Sequence, residues 1–156
     1  MKILYGLQMT QNLNNFLTSM NNQKYATQSG TNTHLLLKHI IIDEDIQIGD
    51  KNIINQIKAN QKLCKFFTKN AKTEVSIAGI VNNIFISRRI DRLLIEDSTK
   101  TIYFIDYKTD TDKSLFIDKY NKQLKEYAQL LKSAYPEHKI IGYILWVQDW
   151  DLEQII

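Results

Sequence analysis

The sequence predicts a mixed α/β domain in which helices flank a central sheet. Three β-branched segments follow one another between residues 74 and 108, and a polar turn over 96–100 separates the last two. These two segments predict an antiparallel hairpin. An amphipathic helix and a final apolar segment come next. We therefore expect the helix to pack on one sheet face and the last strand to return into the same sheet.

The N-terminal part of the chain predicts helices and connections. Residues 1–29 are rich in Asn, Gln and Thr and predict a poorly defined arm, in which five apolar residues could line a short helix: Leu4, Leu7, Leu13, Phe16 and Leu17. The elements expected next are a loop over 21–33, a buried helix over 34–41, an acidic connection over 42–50, and a second helix or pair of turns over 52–67.

The rest of the chain gives the clearer patterns. Its longest helix has apolar residues at spacings of three and four, and Pro136 marks its end. The stripe consists of Ile117, Tyr120, Leu124, Tyr127 and Leu131. The expected elements are strands over 74–81, 84–95 and 101–108, a loop over 109–113, the helix over 116–134, and a buried strand over 140–147.

Composition limits the class of protein. A chain of 156 residues that is 44% hydrophobic and 24% charged is typical of one globular domain. A net charge of +3 permits a polyanionic partner without requiring one. Cys64 is the only cysteine, which excludes a disulfide framework or a cysteine-ligated iron–sulfur cluster within the chain. No apolar run has the length of a membrane helix or a signal peptide, so we expect a cytoplasmic protein.

An acid and a lysine end the apolar strand predicted over 101–108. Asp106 and Lys108 are two residues apart, so they emerge on the same face of a strand. Burying a carboxylate and an ammonium is costly unless they are paired, bound to metal or chemically active. The Asp-x-Lys spacing alone is common, and its position on an apolar strand is what makes it informative.

Asp91 supplies a second carboxylate fifteen residues upstream. Taken alone it could be a surface acid between arginines. The predicted hairpin brings Asp91 and Asp106 towards each other, and two close carboxylates repel unless a cation or a proton lies between them. Mg²⁺ is commonly held by one or two carboxylates with water and phosphate. Lys108 could pair with Asp106, or could orient the attacking water and neutralise phosphate charge.

Four further residues are candidates for supporting roles. Gln123 and Tyr127 are four residues apart on the long helix and share its surface. Gln123 could bind phosphate or Lys108, whereas Tyr127 is explained as well by packing. His34 on an apolar helix is either a satisfied core histidine or a metal ligand. Glu74 is either a solvated strand end or another acid near the metal.

Together these segments resemble the nuclease domain of the RecB/AddA family, in the PD-(D/E)xK superfamily, from about residue 30 to 147. The resemblance implies a restriction-endonuclease-like fold, a mixed central sheet flanked by helices, with residues 30–156 as the nuclease domain. The matching segments, in the family's order, are the helix around His34, the strand Glu74–Gly79, Ile90-Asp91-Arg92-Leu93, Ile105-Asp106-Tyr107-Lys108-Thr109, and Tyr120 with Gln123 and Tyr127.

The resemblance also implies residue roles and a reaction. Lys108 serves the attacking water and the scissile phosphate, Gln123 and Tyr127 support the site and the DNA strand, and Glu74 is the motif glutamate. The reaction is metal-assisted hydrolysis of DNA, as exonuclease or endonuclease, in double-strand break repair and recombination. The implied ligands of Mg²⁺, or of Mn²⁺, are the side chains of His34, Asp91 and Asp106 and the main-chain carbonyl of Tyr107.

Two departures from the family pattern shape the alternatives. Arg88 stands near a position where family members usually carry glycine, and we expect it to press on the hairpin or to contact phosphate. The chain has no Walker-type glycine-rich loop and therefore no ATP site, so we expect a free-standing nuclease, a subunit with a separate helicase partner, or a remnant of a longer protein. The alternatives are a catalytically silent DNA-binding or assembly module docking on a helicase, and an α/β domain whose acids are surface groups.

Overall fold

The structure, a computed structural model, describes residues 30–156, and residues 34–156 form one compact unit around a five-stranded sheet. The first described element is a helix, α1, over residues 30–38. The other elements are β1 (Ile41–Ile42), β2 (Gln47–Ile48), α2 (Lys51–Ala59), α3 (Gln61–Cys64), a 3-10 turn (Lys65–Phe67), β3 (Lys72–Val81), β4 (Ile84–Glu96), β5 (Thr101–Lys108), α4 (Lys113–Ala134), β6 (Lys139–Trp146) and β7 (Asp151–Gln154).

The central sheet is mixed, with strand order β3-β4-β5-β6-β7. Strand β4 pairs antiparallel with both β3 and β5, and its pairing with β5 confirms the predicted hairpin. Strand β6 is parallel to β5, because α4 carries the chain back across one face of the sheet. Strand β7 pairs antiparallel with β6 at one edge. The mixed α/β class with helices flanking the sheet is therefore as the sequence predicts.

Strand β5 is buried on both faces. Its side chains alternate between two apolar clusters, as the two-residue period of a strand requires. One cluster packs the sheet against the elements before β3 and includes Leu37, Ile57, Phe66, Ile105 and Tyr107. The other packs the sheet against α4 and includes Ile102, Phe104, Leu124, Tyr127 and Ile144.

Most predicted elements are confirmed with small shifts at their ends. Strand β5 has the predicted bounds, and β3 and β4 differ from prediction by one or two residues. Helix α4 begins three residues early, at Lys113, because the Asp112 carboxylate caps it by accepting a hydrogen bond from the Ser114 amide. It ends at Ala134, shortly before Pro136.

The predicted loop and buried helix near His34 are wrong in part. Residues 30–33 are helical and not part of a loop, and the helix ends at residue 38 rather than 41. Leu37 is fully buried, whereas Leu35 and Leu36 are 52% and 54% exposed. A run of three leucines cannot lie on one face of a helix of 3.6 residues per turn, so the apolar run does not make this helix buried all round.

Two short pairings were not predicted. The acidic connection over 42–50 includes parts of β1 and β2, which pair through Ile41 and Ile48. Strand β7 follows the last predicted strand and pairs with β6. Strands of two to four residues are too short to show alternation, so only their pairing partners reveal them. The predicted arm over 1–29 lies outside the described residues.

None of the helices within residues 30–156 is long and apolar enough to cross a membrane.

Candidate functional site

Three acidic residues occupy neighbouring positions across three strands. The register of β4 with β5 pairs Arg92 with Ile105, so Asp91 and Asp106 are the next opposing positions. The register of β3 with β4 places Glu74 opposite Asp91 in the same way. The hairpin thus brings Asp91 and Asp106 to adjacent strands, as the sequence predicts.

Asp91 links the sheet to α1. Its Oδ2 atom accepts a hydrogen bond of 2.7 Å from the Tyr107 amide, and its Oδ1 atom lies 3.2 Å from Nδ1 of His34. The hydrogen bond to Asp91 raises the pKa of His34 although partial burial acts against the charged form. The His34 ring also packs edge-on against the Tyr107 ring. His34 is therefore brought to the acidic residues and is not isolated in the core.

Asp106 is buried, with 3% of its surface exposed. Its Oδ1 atom accepts hydrogen bonds of 3.2 Å from Nε2 of Gln123 and from the Tyr127 hydroxyl. Its Oδ2 atom lies 2.5 Å from Nζ of Lys108, and within the described part of the chain no donor is well aligned with it. Burial raises the pKa of Asp106, the Asp91 carboxylate acts in the same direction, and Lys108 opposes both.

The Lys108 ammonium has three neighbouring groups. Besides Asp106, it donates a 3.1 Å hydrogen bond to Oε1 of Gln123 and lies 4.0 Å from the centre of the Tyr120 ring. The Tyr120 hydroxyl in turn donates a 2.5 Å hydrogen bond to Asp110. Burial and the neighbouring carboxylate raise the pKa of Tyr120 above its ordinary range, so this hydroxyl stays protonated.

Gln123 and Tyr127 of α4 both reach the site. Gln123 donates a 2.5 Å hydrogen bond from Nε2 to the Tyr127 hydroxyl, as the four-residue spacing permits. The Tyr127 hydroxyl also contacts the main-chain carbonyl of Arg89, and its ring packs edge-on against Phe104. The Tyr127 ring therefore packs as one interpretation predicts, and its hydroxyl contacts Asp106. A role of Tyr127 toward DNA stays a prediction.

The Glu74 side chain pairs with an arginine at the edge of the site. Its Oε2 atom lies 2.8 Å from Nε of Arg89. Glu74 has a φ of 54°, a left-handed backbone conformation that is unfavourable for a residue with a side chain. Such strain often occurs at functional positions. Glu74 therefore lies beside Asp91 on the neighbouring strand, and its own carboxylate is paired with Arg89.

The Arg88 side chain binds α4. Its Nε and Nη2 atoms donate hydrogen bonds of 3.1 and 2.8 Å to the Glu126 carboxylate, and its Nη1 atom binds the Ser87 carbonyl. The predicted contact of Arg88 with phosphate stays a prediction.

Sequence reasoning missed Arg92, whose side chain links β5 to α1 and to the 3-10 turn beside the site. Arg92 is 1% exposed and its Nε atom donates a 2.8 Å hydrogen bond to the Tyr107 hydroxyl, whose pKa burial raises to about 12. An arginine inside an apolar strand segment is itself a signal, because a buried guanidinium needs several acceptors. Its other acceptors are the carbonyls of Leu37, Ile40 and Phe66, and it also lies over the Phe67 ring.

The acidic residues suit a hard divalent cation. Among residues 30–156 no three His, Cys, Asp or Glu side chains converge as a ready ligand set. Mg²⁺ needs only one or two carboxylates, because water and phosphate complete its shell. Asp91 and Asp106 provide two carboxylates at neighbouring positions, and Oδ2 of Asp106 has no well-aligned donor in this part of the chain. The donors therefore fit such an ion, with His34 beside them.

No protein-family model matches this chain, and no curated protein matches it either. The functional conclusion therefore depends on the chemistry of the site.

Proposed function

We propose that this chain is a metal-dependent deoxyribonuclease with a restriction-endonuclease-like fold of RecB/AddA type. The observation that carries the proposal is the buried ion pair of Asp106 and Lys108, which lies next to Asp91 and is braced by Gln123 of α4. The antiparallel β3-β4-β5 unit followed by a helix and the parallel strand β6 supports the proposed fold.

The energetics of burial support a functional role for this pair. Removing two charges from water costs several kcal/mol per ion, and their mutual attraction often fails to offset that cost. A pair of apolar side chains would serve the core at least as well. Asp106 and Lys108 lie on a strand whose apolar side chains belong to apolar clusters, so their presence there is better explained by chemistry than by stability.

In the proposed mechanism, the chain's own residues position the reactants. Asp91 and Asp106 would hold Mg²⁺ or Mn²⁺, together with His34 and the main-chain carbonyl of Tyr107. The ion, when bound, supplies Lewis-acid activation of water and neutralisation of phosphate charge. The Tyr107 amide fixes the Asp91 carboxylate, so this ligand is oriented before a metal arrives.

Lys108 and Gln123 would act on the substrate side. The Lys108 ammonium can hydrogen-bond the attacking water or a phosphate oxygen and stabilise the charge that develops there. Gln123 contacts both Lys108 and Asp106, so it fixes their separation. Tyr127 donates a hydrogen bond to Oδ1 of Asp106, whereas Oδ2 faces Lys108.

The proposed substrate is DNA, as single strands or duplex ends, in double-strand break repair and recombination. The net charge of +3 is compatible with a polyanion. A separate helicase subunit is the proposed partner, because the sequence has no Walker-type loop of its own.

Cleavage of labelled linear single- and double-stranded DNA tests the proposal. The purified chain is assayed with Mg²⁺, with Mn²⁺ and with EDTA. We expect metal-dependent cleavage that Asp106→Ala abolishes while DNA binding is retained, because one negative charge near phosphate is removed. Asp118→Ala, which removes an exposed acid from α4, is the matched control and should cleave normally. Cleavage by Asp106→Ala at the parental rate would show that the site is wrongly assigned.

A catalytically silent DNA-binding or assembly module is the second candidate. It is favoured by the pairing of Asp106 with Lys108 and of Glu74 with Arg89, which engages these acids without any ion. Calorimetry separates the two candidates. A silent module binds DNA without binding Mg²⁺, and Asp106→Ala leaves its binding unchanged.

A further inference from the structure

The Lys108 side chain has a contact that the reaction itself does not explain. Its ammonium lies 4.0 Å from the centre of the Tyr120 ring, in addition to its contacts with the Asp106 carboxylate and the Gln123 amide. An aromatic face attracts a cation because the ring carries negative charge above its plane. This ring therefore stabilises the ammonium where it contacts Asp106.

The Tyr120 ring is itself held in place. Its hydroxyl donates a 2.5 Å hydrogen bond to Asp110, which lies two residues after Lys108 in the loop before α4. Phe116, one helical turn earlier, stacks on the ring, and Trp146 of β6 packs against it at a tilt. The register of β5 with β6 pairs Trp146 with Lys108, so the strand and the helix enclose the lysine together.

We propose that Tyr120 and Asp110 are positioning residues that hold the Lys108 ammonium against Asp106 for the cleavage step. This inference rests on the proposed nuclease function. A lysine side chain carries a compact charge on a flexible four-carbon chain, so the ammonium samples many positions unless several contacts restrict it. The Tyr120 ring restricts the ammonium, and Asp110 restricts the ring.

Single-turnover cleavage measures this role. Tyr120→Leu should slow cleavage at saturating DNA by roughly 3- to 30-fold, the range expected for loss of one partly buried cation–π contact. The DNA concentration at half-maximal rate should not change. Tyr120→Phe keeps the ring but loses its hydrogen bond to Asp110, so it should slow cleavage no more than Asp110→Ala does, roughly 2- to 10-fold. A Tyr120→Leu variant that is folded and cleaves at the parental rate would overturn the inference.

Tyr103→Leu is the matched control. It removes another contact between a lysine and a tyrosine ring, because Nζ of Lys65 lies 3.3 Å from the centre of the Tyr103 ring. Within residues 30–156, the ring contacts of Tyr103 are with Phe66 and Lys65, on the sheet face away from α4. Its variant should therefore cleave like the parent, and a similar loss of rate there would assign the Tyr120 effect to general packing.

Asp110→Ala provides a second test that leaves the ring in the core. It removes the acceptor of the Tyr120 hydroxyl and should slow cleavage roughly 2- to 10-fold, the range for one hydrogen bond. Asp110→Asn keeps an acceptor at the same place and should recover most of that loss. Equal rates for parent, Asp110→Ala and Asp110→Asn would exclude a role for Asp110.

Nuclear magnetic resonance gives a readout that does not depend on activity. Ring current should shift the Lys108 ε-methylene resonances upfield in the parent and in Tyr120→Phe, and this shift should be lost in Tyr120→Leu. Unchanged Lys108 resonances in Tyr120→Leu would show that the Tyr120 ring does not contact Lys108.

The cleavage results separate failure of the two proposals. A parent chain that does not cleave with either metal overturns the nuclease function and the positioning role together. A parent that cleaves while Tyr120→Leu keeps the same rate overturns only the positioning role.

Discussion

At the scale of single residues, the site is a set of charges that are buried at a cost. Asp106 is almost fully buried, and its partner Lys108 has a 13% exposed side chain. Removal of one partner leaves the other charge buried and unpaired, which destabilises the fold more than removal of both. The contribution of the pair to stability can therefore be separated from its contribution to catalysis.

Substitution of the ion pair by apolar residues should measure the contribution of the pair to stability. Lys108→Met alone should lower the free energy of unfolding by about 3–5 kcal/mol, because the Asp106 carboxylate stays buried without its cation. The double variant Asp106→Leu/Lys108→Met should recover that loss and could exceed the parent by about 1–4 kcal/mol. Urea unfolding of the parent, Lys108→Met and the double variant measures these differences. A double variant less stable than Lys108→Met would show that the pair has a stabilising role in the core.

The pairing of His34 with Asp91 predicts a pH dependence of stability in the metal-free chain. The pKa of His34 in the folded state is raised above its ordinary value of 6.5, mainly by the hydrogen bond to Asp91. The folded state therefore binds the proton more tightly than the unfolded state does. This contribution to stability is complete below about pH 6.5 and is lost as pH rises through the higher folded pKa.

Urea unfolding in EDTA between pH 5.5 and 9 checks this dependence. We expect the stability advantage of the parent over His34→Gln to decrease as pH rises. Asp91→Asn should show a smaller decrease, since the main cause of the raised pKa is then gone. A constant difference between parent and His34→Gln across this range would mean that His34 does not titrate with a raised pKa.

At the scale of elements, Arg92 joins α1, the 3-10 turn and β5. It donates hydrogen bonds to the carbonyls of Leu37 and Ile40, at and just beyond the end of the helix that carries His34. Helix ends leave carbonyls without partners, so a guanidinium there both satisfies them and fixes the helix. The hydroxyl of Tyr107, next to Asp106 in the chain, is bound by the same side chain.

Arg92→Met should therefore destabilise the fold and weaken catalysis together. We expect a loss of about 2–5 kcal/mol in the free energy of unfolding, because the buried carbonyls of Ile40 and Phe66 lose the guanidinium donor and the Leu37 carbonyl keeps only the Ile40 amide. Arg88→Met, on the same strand, removes a partly exposed ion pair with Glu126 and should cost no more than about 1 kcal/mol. Urea unfolding compares the two variants, and equal losses would contradict the bridging role of Arg92.

At the scale of the whole molecule, the site lies where two packed layers meet at the end of β5. Tyr107 belongs to the cluster packed on the sheet by the elements before β3, and Tyr127 belongs to the cluster under α4. Asp106, directly before Tyr107 in the chain, binds α4 through Tyr127, while Asp91 binds α1 through His34. The mixed sheet is thus what brings residues from α1, β4, β5 and α4 to one place.

The sequence by itself determined the features that depend on local periodicity. The two-residue period of β5 places Asp106 and Lys108 on one face, and the polar turn after β4 makes the hairpin that brings Asp91 to Asp106. The spacing of Gln123 and Tyr127 gives them a common surface on α4. These relations extend over a few residues or one tight turn, so the pattern of residue types is sufficient to predict them.

Only the tertiary structure decided the contacts between distant segments. Arg92 binds carbonyls 52 and 55 residues earlier in the chain, and β7 exists through its pairing with β6. The Tyr120 ring reaches Lys108 only because α4 crosses the sheet at that point. Such contacts depend on how layers pack and not on local periodicity. The sequence therefore predicted Gln123 and Tyr127 as supports of the charged residues, but not Arg92 or the contact of the Tyr120 ring with Lys108.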